Sequence, residues 1–277
     1  MQPATQPVIR QRVELWLSTA VIGKRPATVK YYGEIARTFL DHWPTAPHAE
    51  NDAGRSPTDP SAETVVVFLQ SIAHFSAPRF NALVSLLKYV FPGVNARRQR
   101  VRPQNFFVPD QLQFAALLRE LDRQQRGHAA LVVRFLALTG LRIGEARRLT
   151  WADVQPDCIL LPGTVTKNGR PRAIPLIGEV REVLDRLWAC SSGDKLLPQF
   201  TARKGLESAC RRAGLPPLSH HSMRRLFATR CIESGVDLPT AARWLGHSDG
   251  GALLGKTYFH LLDGHSREMA GKVRITG

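Results

Sequence analysis

A chain of 277 residues with 43% hydrophobic and 22% charged residues is long enough for two cores and is not a disordered polyelectrolyte. Its formal net charge of +15 predicts a polyanionic partner such as nucleic acid, and a basic protein with no such partner is the alternative. Residues 1–100 hold 12 basic and 7 acidic residues, and residues 101–277 hold 26 and 16. Because both halves carry the surplus, we expect two basic domains around a DNA duplex.

The four cysteines form no C-x-x-C pair, and we interpret them as reduced, buried side chains of a cytoplasmic protein. The polar N-terminus does not resemble a signal peptide. No apolar run approaches the ~20 residues that a membrane span needs. We therefore expect a soluble, cytoplasmic protein that makes no membrane contact and is associated with the nucleoid.

Helical periodicity dominates the first 95 residues and predicts a small all-α domain at residues 1–95. Thr28 is a plausible cap for the second helix, which opens at Pro26. Residues 44–61 are rich in Pro, Asp, Asn and Ser and predict an exposed loop. The other three helices are predicted at about residues 8–22, 62–73 and 77–91.

A basic segment, residues 96–107, follows this domain. Four arginines stand within six positions beside Pro103, between two helical regions, which is typical of a linker that lies against phosphates. A solvated linker without a partner is the alternative. The four arginines are Arg97, Arg98, Arg100 and Arg102.

Residues 108–277 combine helices with one small cluster of strand patterns, so the predicted fold class is mainly α with a small antiparallel β-sheet. Asp110 can cap the first helix of this region. Residues 167–170, Lys-Asn-Gly-Arg, form a tight-turn sequence between two of the strands. Strands are predicted at 158–161, 164–166 and 172–176. Helices are predicted at about 110–122, 127–138, 143–149, 178–190, 199–213, 222–235, 239–245 and as a pair around 255–272.

Arg142 stands at a helix start just after the Thr139-Gly140 turn, where a guanidinium beside backbone amides can bind two phosphate oxygens. Glu145, three residues on, can hold the arginine or cap the helix. An ordinary helix start with an exposed ion pair is the alternative. Alone, this pattern does not decide between the two.

His221 and Arg224 lie three residues apart on a predicted helix and share a face. An imidazole that moves protons beside a fixed positive charge suits a reacting phosphate, and a surface feature of a basic helix is the alternative. His247 follows a helix-ending glycine and, taken singly, is typical of a structural capping histidine. A zinc site is disfavoured because no cysteine or carboxylate stands at ligand spacing among the histidines. Those histidines are His220, His221, His247 and His260.

Tyr258 is the only tyrosine after Tyr89. Arginines, a lysine and histidines that converge on one tyrosine, without a dense acidic cluster for a metal, suit phosphoryl transfer onto that tyrosine. The hypothesis at this point is a DNA-cleaving enzyme whose nucleophile is Tyr258.

Taken together, these segments resemble the tyrosine recombinase family, the phage integrases and Xer-type recombinases, over most of the chain. Residues 139–145 resemble the box around the first catalytic arginine, and Lys167 matches the lysine of the family's β-hairpin. His-Ser-Met-Arg at 221–224 matches H-x-x-R, Leu-Gly-His-Ser at 245–248 matches L-G-H-S, and Tyr-Phe-His at 258–260 matches Y-x-H. Five matches in the right order make the resemblance specific.

The resemblance implies two domains: a helical, SAM-like core-binding domain at 1–95 and an α+β catalytic domain at 108–277. It implies cleavage and rejoining of DNA through a 3′-phosphotyrosyl link at Tyr258, with Lys167 as general acid and His221 assisting proton transfer. Neither metal, ATP nor any other cofactor is required. The implied catalytic residues are Arg142, Lys167, His221, Arg224, His247 and Tyr258.

The implied partner is double-stranded DNA with a specific recombination site, bound by four protomers that are monomers when free, with room for accessory DNA-bending proteins.

Two positions depart from the family pattern. Arg225 replaces a common histidine, and Tyr258 stands eleven positions after His247, about two more than is usual. The candidate DNA contacts are Arg97, Arg98, Arg100, Arg102, Arg170 and Arg225.

Two other functions fit parts of the sequence. A type IB topoisomerase-like enzyme would nick and reseal one duplex by the same chemistry, and only a product assay separates it from a recombinase. A non-catalytic DNA-binding regulator on a recombinase scaffold would be expected to lack at least one catalytic group, whereas all six are present in the sequence.

Overall fold

The computed structural model describes residues 6–44, 60–101, 106–123, 128–197, 202–247, 250–252 and 254–255. The chain divides into two compact units, Met1–Gln104 and Asn105–Gly277. Within the described ranges, no helix is long and apolar enough to cross a membrane.

The N-terminal unit is all helical in its described part, and aromatic side chains fill its core. The ring of Trp43 stacks on Phe39 and on Phe91, at centroid distances of 5.3 and 5.0 Å, and Phe68 packs on Phe39 at 4.9 Å. These large rings, together with buried leucines of the fourth helix, join all four helices in one core. The helices are α1 (Gln6–Ala20), α2 (Pro26–His42), α3 (Ala62–Ser71) and α4 (Ala77–Val90).

The predicted start of α2 is right in position but wrong in its cap. Arg25 precedes the helix in extended conformation, and its carbonyl accepts the backbone N–H of Thr28 at 2.8 Å. Thr28 therefore lies inside the first turn, where Pro26 fixes the backbone for helix entry. Ser61 caps α3 by accepting the N–H of Thr64. Most of the predicted loop at 44–61 lies outside the described residues.

The first part of the basic segment packs against α4. Ala96 is buried, and the side-chain amide of Asn81 donates to the carbonyl of Gln99 and accepts its N–H, at 2.9 and 2.7 Å. This pair of hydrogen bonds fixes the backbone at Gln99. The side chains of Arg98 and Arg100 on either side of it are exposed, and Arg98 Nη2 donates to Ser85 Oγ of α4 at 3.1 Å.

The C-terminal unit is built around α6, whose Phe135 and Leu136 are fully buried. Helix α6 packs against α5, α8, α9 and α10. The predicted cap of α5 is confirmed, since Asp110 and Gln113 form a reciprocal capping box. The helices are α5 (Gln111–Asp122), α6 (His128–Thr139), α7 (Ile143–Ala146), α8 (Gly178–Ala189), α9 (Arg203–Arg212), α10 (His220–Glu233) and α11 (Leu238–Leu245). The helical pair predicted around 255–272 lies almost wholly outside the described residues.

Two antiparallel strands, β1 (Cys158–Leu161) and β2 (Arg172–Pro175), form the sheet, with Ile159 opposite Ile174. This confirms the predicted class, mainly α with a small antiparallel sheet. The predicted third strand at 164–166 is wrong. The N–H groups of Val165 and Thr166 both point to the carbonyl of Pro162, and both residues are buried, which is turn geometry rather than the alternation of a strand.

Gly140, which ends α6, is a position where only glycine fits. Its φ is +63°, and a Cβ there would lie 2.4 Å from the ring of Phe227 and 2.9 Å from Leu245. The chain can therefore turn sharply between α6 and Arg142 only because this residue has no side chain.

We predict that Gly140→Ala lowers the free energy of unfolding by about 2–4 kcal/mol, from the left-handed backbone together with overpacking. Gly214→Ala is the matched control, because Gly214 has a φ of +66° but a Cβ added there would have no neighbour within 4 Å. We expect the control to cost about 1 kcal/mol. Denaturant unfolding of the two variants measures both values, and equal losses would contradict the close packing at Phe227.

Candidate functional site

Arg142 is positioned by the turn at Gly140 and by Glu145. Its backbone N–H donates to Glu145 Oε2 at 3.2 Å, and its guanidinium pairs with Glu145 Oε1 at 2.9 Å. Both roles predicted for Glu145, holding the arginine and capping the helix, are therefore present. The Arg142 side chain is 32% exposed and that of Glu145 only 2%. The Arg142 side chain thus reaches solvent, while the carboxylate that holds it is buried.

Glu145 remains a carboxylate although it is buried. Burial by itself would raise the pKa of Glu145, but the hydrogen bond and charge of Arg172, with the charge of Arg142, hold that pKa below its ordinary value. The carboxylate is thus ionised at neutral pH, and two guanidiniums compensate its negative charge.

Arg224 lies at the centre of the site and is 4% exposed. Its Nη1 donates to the carbonyl of Gly140 at 2.8 Å, and its Nη2 donates to the carbonyl of Leu245. These two carbonyls flank Arg142 and His247, respectively. One buried guanidinium therefore joins the turn after α6 to the end of α11.

His221 lies on the first turn of α10, one helical turn before Arg224, and its side chain is exposed. Partial burial of the ring, followed by the charges of Arg225, Arg224 and Arg142, lowers the pKa of His221 below its ordinary value. The imidazole is therefore neutral at pH 7 and able to accept a proton.

His247 is held by the turn that ends α11. Gly246 has a φ of +65°, and the N–H of His247 donates to the carbonyl of Ala242 at 2.9 Å. The predicted helix end at this glycine is confirmed. The His247 side chain is half-buried. Ser248, which completes the L-G-H-S match, lies outside the described residues.

Lys167 and Arg170 are exposed on the loop that joins β1 to β2. The loop is tied to the region after α7, because Arg148 donates to the carbonyl of Val165. It also closes on itself, since the carbonyl of Gly169 lies against Gly163. Lys167 thus lies on a loop that connects the two strands of the sheet, and the second of these strands begins at Arg172.

Arg172 is a site residue that sequence reasoning missed. Its side chain is 5% exposed and pairs with Glu145 Oε2 at 2.7 Å, so it belongs to the same charged cluster as Arg142. A signal was available, because the alternation in β2 places Arg172 on the same face as the buried Ile174. An arginine on the buried face of a strand requires a partner.

The candidate DNA-contacting arginines fall into two groups. Arg97, Arg98, Arg100 and Arg170 are exposed. The guanidinium of Arg225, in contrast, stacks over the ring of Phe106 at 4.3 Å from the ring centroid.

Arg102, Tyr258 and His260 lie outside the described residues. Among the residues that the structure describes, no three histidine, cysteine or acidic side chains are grouped so that they could hold a metal ion.

The family model described as "Phage integrase family" matches residues 109–265. The chain belongs to the phage integrase family. The matched range contains every candidate catalytic residue and most of the C-terminal unit.

Curated relatives and solved structures agree with this membership. The chain is 27% identical to tyrosine recombinase XerA of Pyrococcus furiosus over 248 residues, 82% of this chain and 81% of the relative. It is 34% identical to tyrosine recombinase XerC of Erythrobacter litoralis over 152 residues, about half of each chain (48% and 49%). A lambda integrase tetramer bound to a Holliday junction has a similar fold, with a TM-score of 0.68 at 18% identity, over 86% of this chain and 74% of that one.

We predict that the pKa of His221 lies below the ordinary histidine value of about 6.5 and rises when Arg225 is replaced by glutamine, because after burial the charge of Arg225 lowers this pKa more than the charges of Arg224 and Arg142 do. Titration of the His221 ring by NMR measures the shift. Arg212→Gln, which removes a charge paired with Glu120 elsewhere in the unit, is the control and should leave the pKa unchanged. A wild-type pKa at or above 6.5 would contradict the electrostatic description of the site.

Proposed function

We propose that this protein is a site-specific DNA recombinase that cleaves and rejoins DNA through a covalent link to Tyr258. The observation that carries the proposal is the pair of hydrogen bonds from Arg224 to the carbonyls of Gly140 and Leu245. They bring the segments of Arg142 and His247 to one place. Family membership supplies the reaction type.

In this proposal, Arg142 and Arg224 bind the non-bridging oxygens of the scissile phosphate. Charge builds on these oxygens as the phosphorus becomes pentavalent, and fixed guanidiniums stabilise it more than they stabilise the ground state. His247 donates a further hydrogen bond to the phosphate. The partial exposure of Arg142 supports this role, because its guanidinium can reach a phosphate from solvent.

The phenol oxygen of Tyr258 attacks phosphorus, a 3′-phosphotyrosyl bond forms, and the bond to the 5′-oxygen breaks. A free phenol ionises near pH 10, so the neutral His221 assists by taking its proton while the arginines favour the phenolate. Lys167 gives a proton to the departing 5′-oxygen. Attack by a 5′-hydroxyl on the phosphotyrosyl bond reverses these steps and releases the tyrosine, so that no external energy source is used.

The two units have separate tasks in this proposal. Residues 1–95 form a helical core-binding domain, residues 96–107 a basic linker and residues 108–277 the catalytic domain. Both parts contact the duplex, which accounts for the charge surplus in both halves of the chain. The exposure of the arginines near Gln99 and of Arg170 supports phosphate contacts from each part.

Strand exchange requires two duplexes and therefore four active sites. We extend to this chain the arrangement of its structural relative, lambda integrase, which has been solved as a tetramer on a Holliday junction. The tetramer forms on DNA from protomers that are monomers in its absence.

We predict that the protein becomes covalently attached to a supercoiled plasmid that carries the DNA flanking its gene, when the reaction is run in EDTA and quenched with detergent. Tyr258→Phe should abolish the attachment, because phenylalanine has no oxygen to attack phosphorus. Tyr89→Phe is the control, since Tyr89 is an exposed tyrosine of α4 in the other unit. Its attachment should match that of the wild type.

Binding of the same DNA without attachment would contradict the enzymatic proposal and favour a DNA-binding regulator. Attachment with relaxation of the plasmid, but without exchange between two sites, would favour the topoisomerase-like alternative.

A further inference from the structure

The side chain of Arg172 is buried, where a charge is costly, and its guanidinium is paired with a carboxylate and hydrogen-bonded to a backbone carbonyl. It lies at the start of β2, directly opposite Leu161, on the face that also buries Ile159 and Ile174. Burial of a guanidinium in such surroundings is unfavourable unless it is paired and hydrogen-bonded. The groups that pair with this guanidinium therefore indicate which segments of the chain Arg172 connects.

The guanidinium of Arg172 contacts two other segments of the chain. Its Nη2 and Nη1 face the two oxygens of Glu145 at 2.7 and 3.4 Å, and its Nε donates to the carbonyl of Trp244 at 2.9 Å. Glu145 Oε1 also pairs with Arg142. One planar group thus connects β2, the carboxylate beneath Arg142 and the last turn of α11.

The turn that carries His247 also packs directly on this guanidinium. A Cβ at Gly246 would lie 2.7 Å from Nη1 and 2.8 Å from Cζ of Arg172. Because glycine alone allows so close an approach, the position of the backbone before His247 is set by the plane of the arginine. Lysine offers neither this plane nor two separate hydrogen-bonding edges.

We propose that Arg172 is a positioning residue for DNA cleavage. Through Glu145 it orients Arg142, and through Trp244 and Gly246 it orients His247, so that both groups meet the same phosphate. Arg172 acts through these groups and does not bind the phosphate itself. This inference rests on the proposed function and adds a residue to it.

The test compares Arg172→Met and Arg172→Lys with Arg134→Met. Arg134 is a matched control because its guanidinium also forms two hydrogen bonds to one carboxylate, that of Asp122, at 2.8 and 2.6 Å, but between α5 and α6. The substrate is a duplex with the scissile phosphate mapped by attachment of the wild-type chain. Cleavage rate, DNA affinity and melting temperature are measured for each variant.

We expect Arg172→Met to cleave about 100-fold more slowly than the wild type, because displacement of catalytic groups by about 1 Å has effects of this size. Arg172→Lys, which keeps the charge and most of the stem, should cleave about 10-fold more slowly. DNA affinity should change less than about threefold in both. Arg134→Met should cleave at the wild-type rate even if it melts earlier.

A second substrate separates positioning from general destabilisation. A methylphosphonate at the scissile position removes the negative charge that Arg142 neutralises. If Arg172 acts through Arg142, the defect of Arg172→Met shrinks on this substrate, as does the defect of Arg142→Gln. Equal defects on the two substrates would mean that Arg172 only stabilises the fold, and would overturn the inference.

The outcomes for the two proposals are distinct. If the wild-type chain forms no covalent complex, the proposed function fails and the positioning role falls with it. If the wild type cleaves and both Arg172 variants cleave at the rate of Arg134→Met, only the positioning role is overturned. Should Arg172→Met fail to fold, the comparison of Arg172→Lys on the two substrates decides the question in the same way.

Discussion

The carboxylate of Glu145 is almost entirely buried and accepts hydrogen bonds from two arginines that come from different segments of the chain. An unpaired carboxylate at this depth would be neutralised, and removal of one partner of a buried ion pair typically costs about 3–5 kcal/mol. Displacement of either arginine would leave this buried charge with one guanidinium partner instead of two. This pairing fixes the buried part of the site, and it thereby sets the position of the exposed part of the Arg142 side chain.

Backbone carbonyls and two glycines extend the same constraint to the rest of the site. Arg224 joins segments that are 84 and 21 residues distant from it in sequence, and it does so through main-chain oxygens rather than through side chains. Main-chain carbonyls are available for such contacts at the C-terminal ends of helices, and the turns that end α6 and α11, at Gly140 and Gly246, both have φ near +65°. A side chain would collide with Phe227 and Leu245 at Gly140, and with Arg172 at Gly246. The glycines are thus needed for contact between segments as well as for turning.

Most of the longer helices could be predicted from the sequence because they carry their own pattern of apolar residues, and Asp110 shows the cap that begins one of them. The strand predicted at 164–166 is short, and a turn on Pro162 that no local periodicity reveals buries its β-branched Val165 and Thr166. Arg172 was overlooked for another reason. Its partners, Glu145 and Trp244, lie 27 and 72 residues away, and only the alternation of β2 indicated that it faces inward. Family motifs marked the residues proposed to touch the phosphate, whereas the residues that hold them depend on tertiary contacts.

The charge balance of the site links DNA binding to proton transfer. Burial of the ring, followed by the positive charges of Arg225, Arg224 and Arg142, lowers the pKa of His221. A phosphate bound by Arg142 and Arg224 would supply negative charge beside the same imidazole and raise its pKa again. Without DNA the histidine is a weak base, and with DNA it becomes a stronger one. In the proposed reaction, proton acceptance from the nucleophile is therefore favoured when a phosphate occupies the site, and the arginines proposed to bind that phosphate would also control when His221 can act.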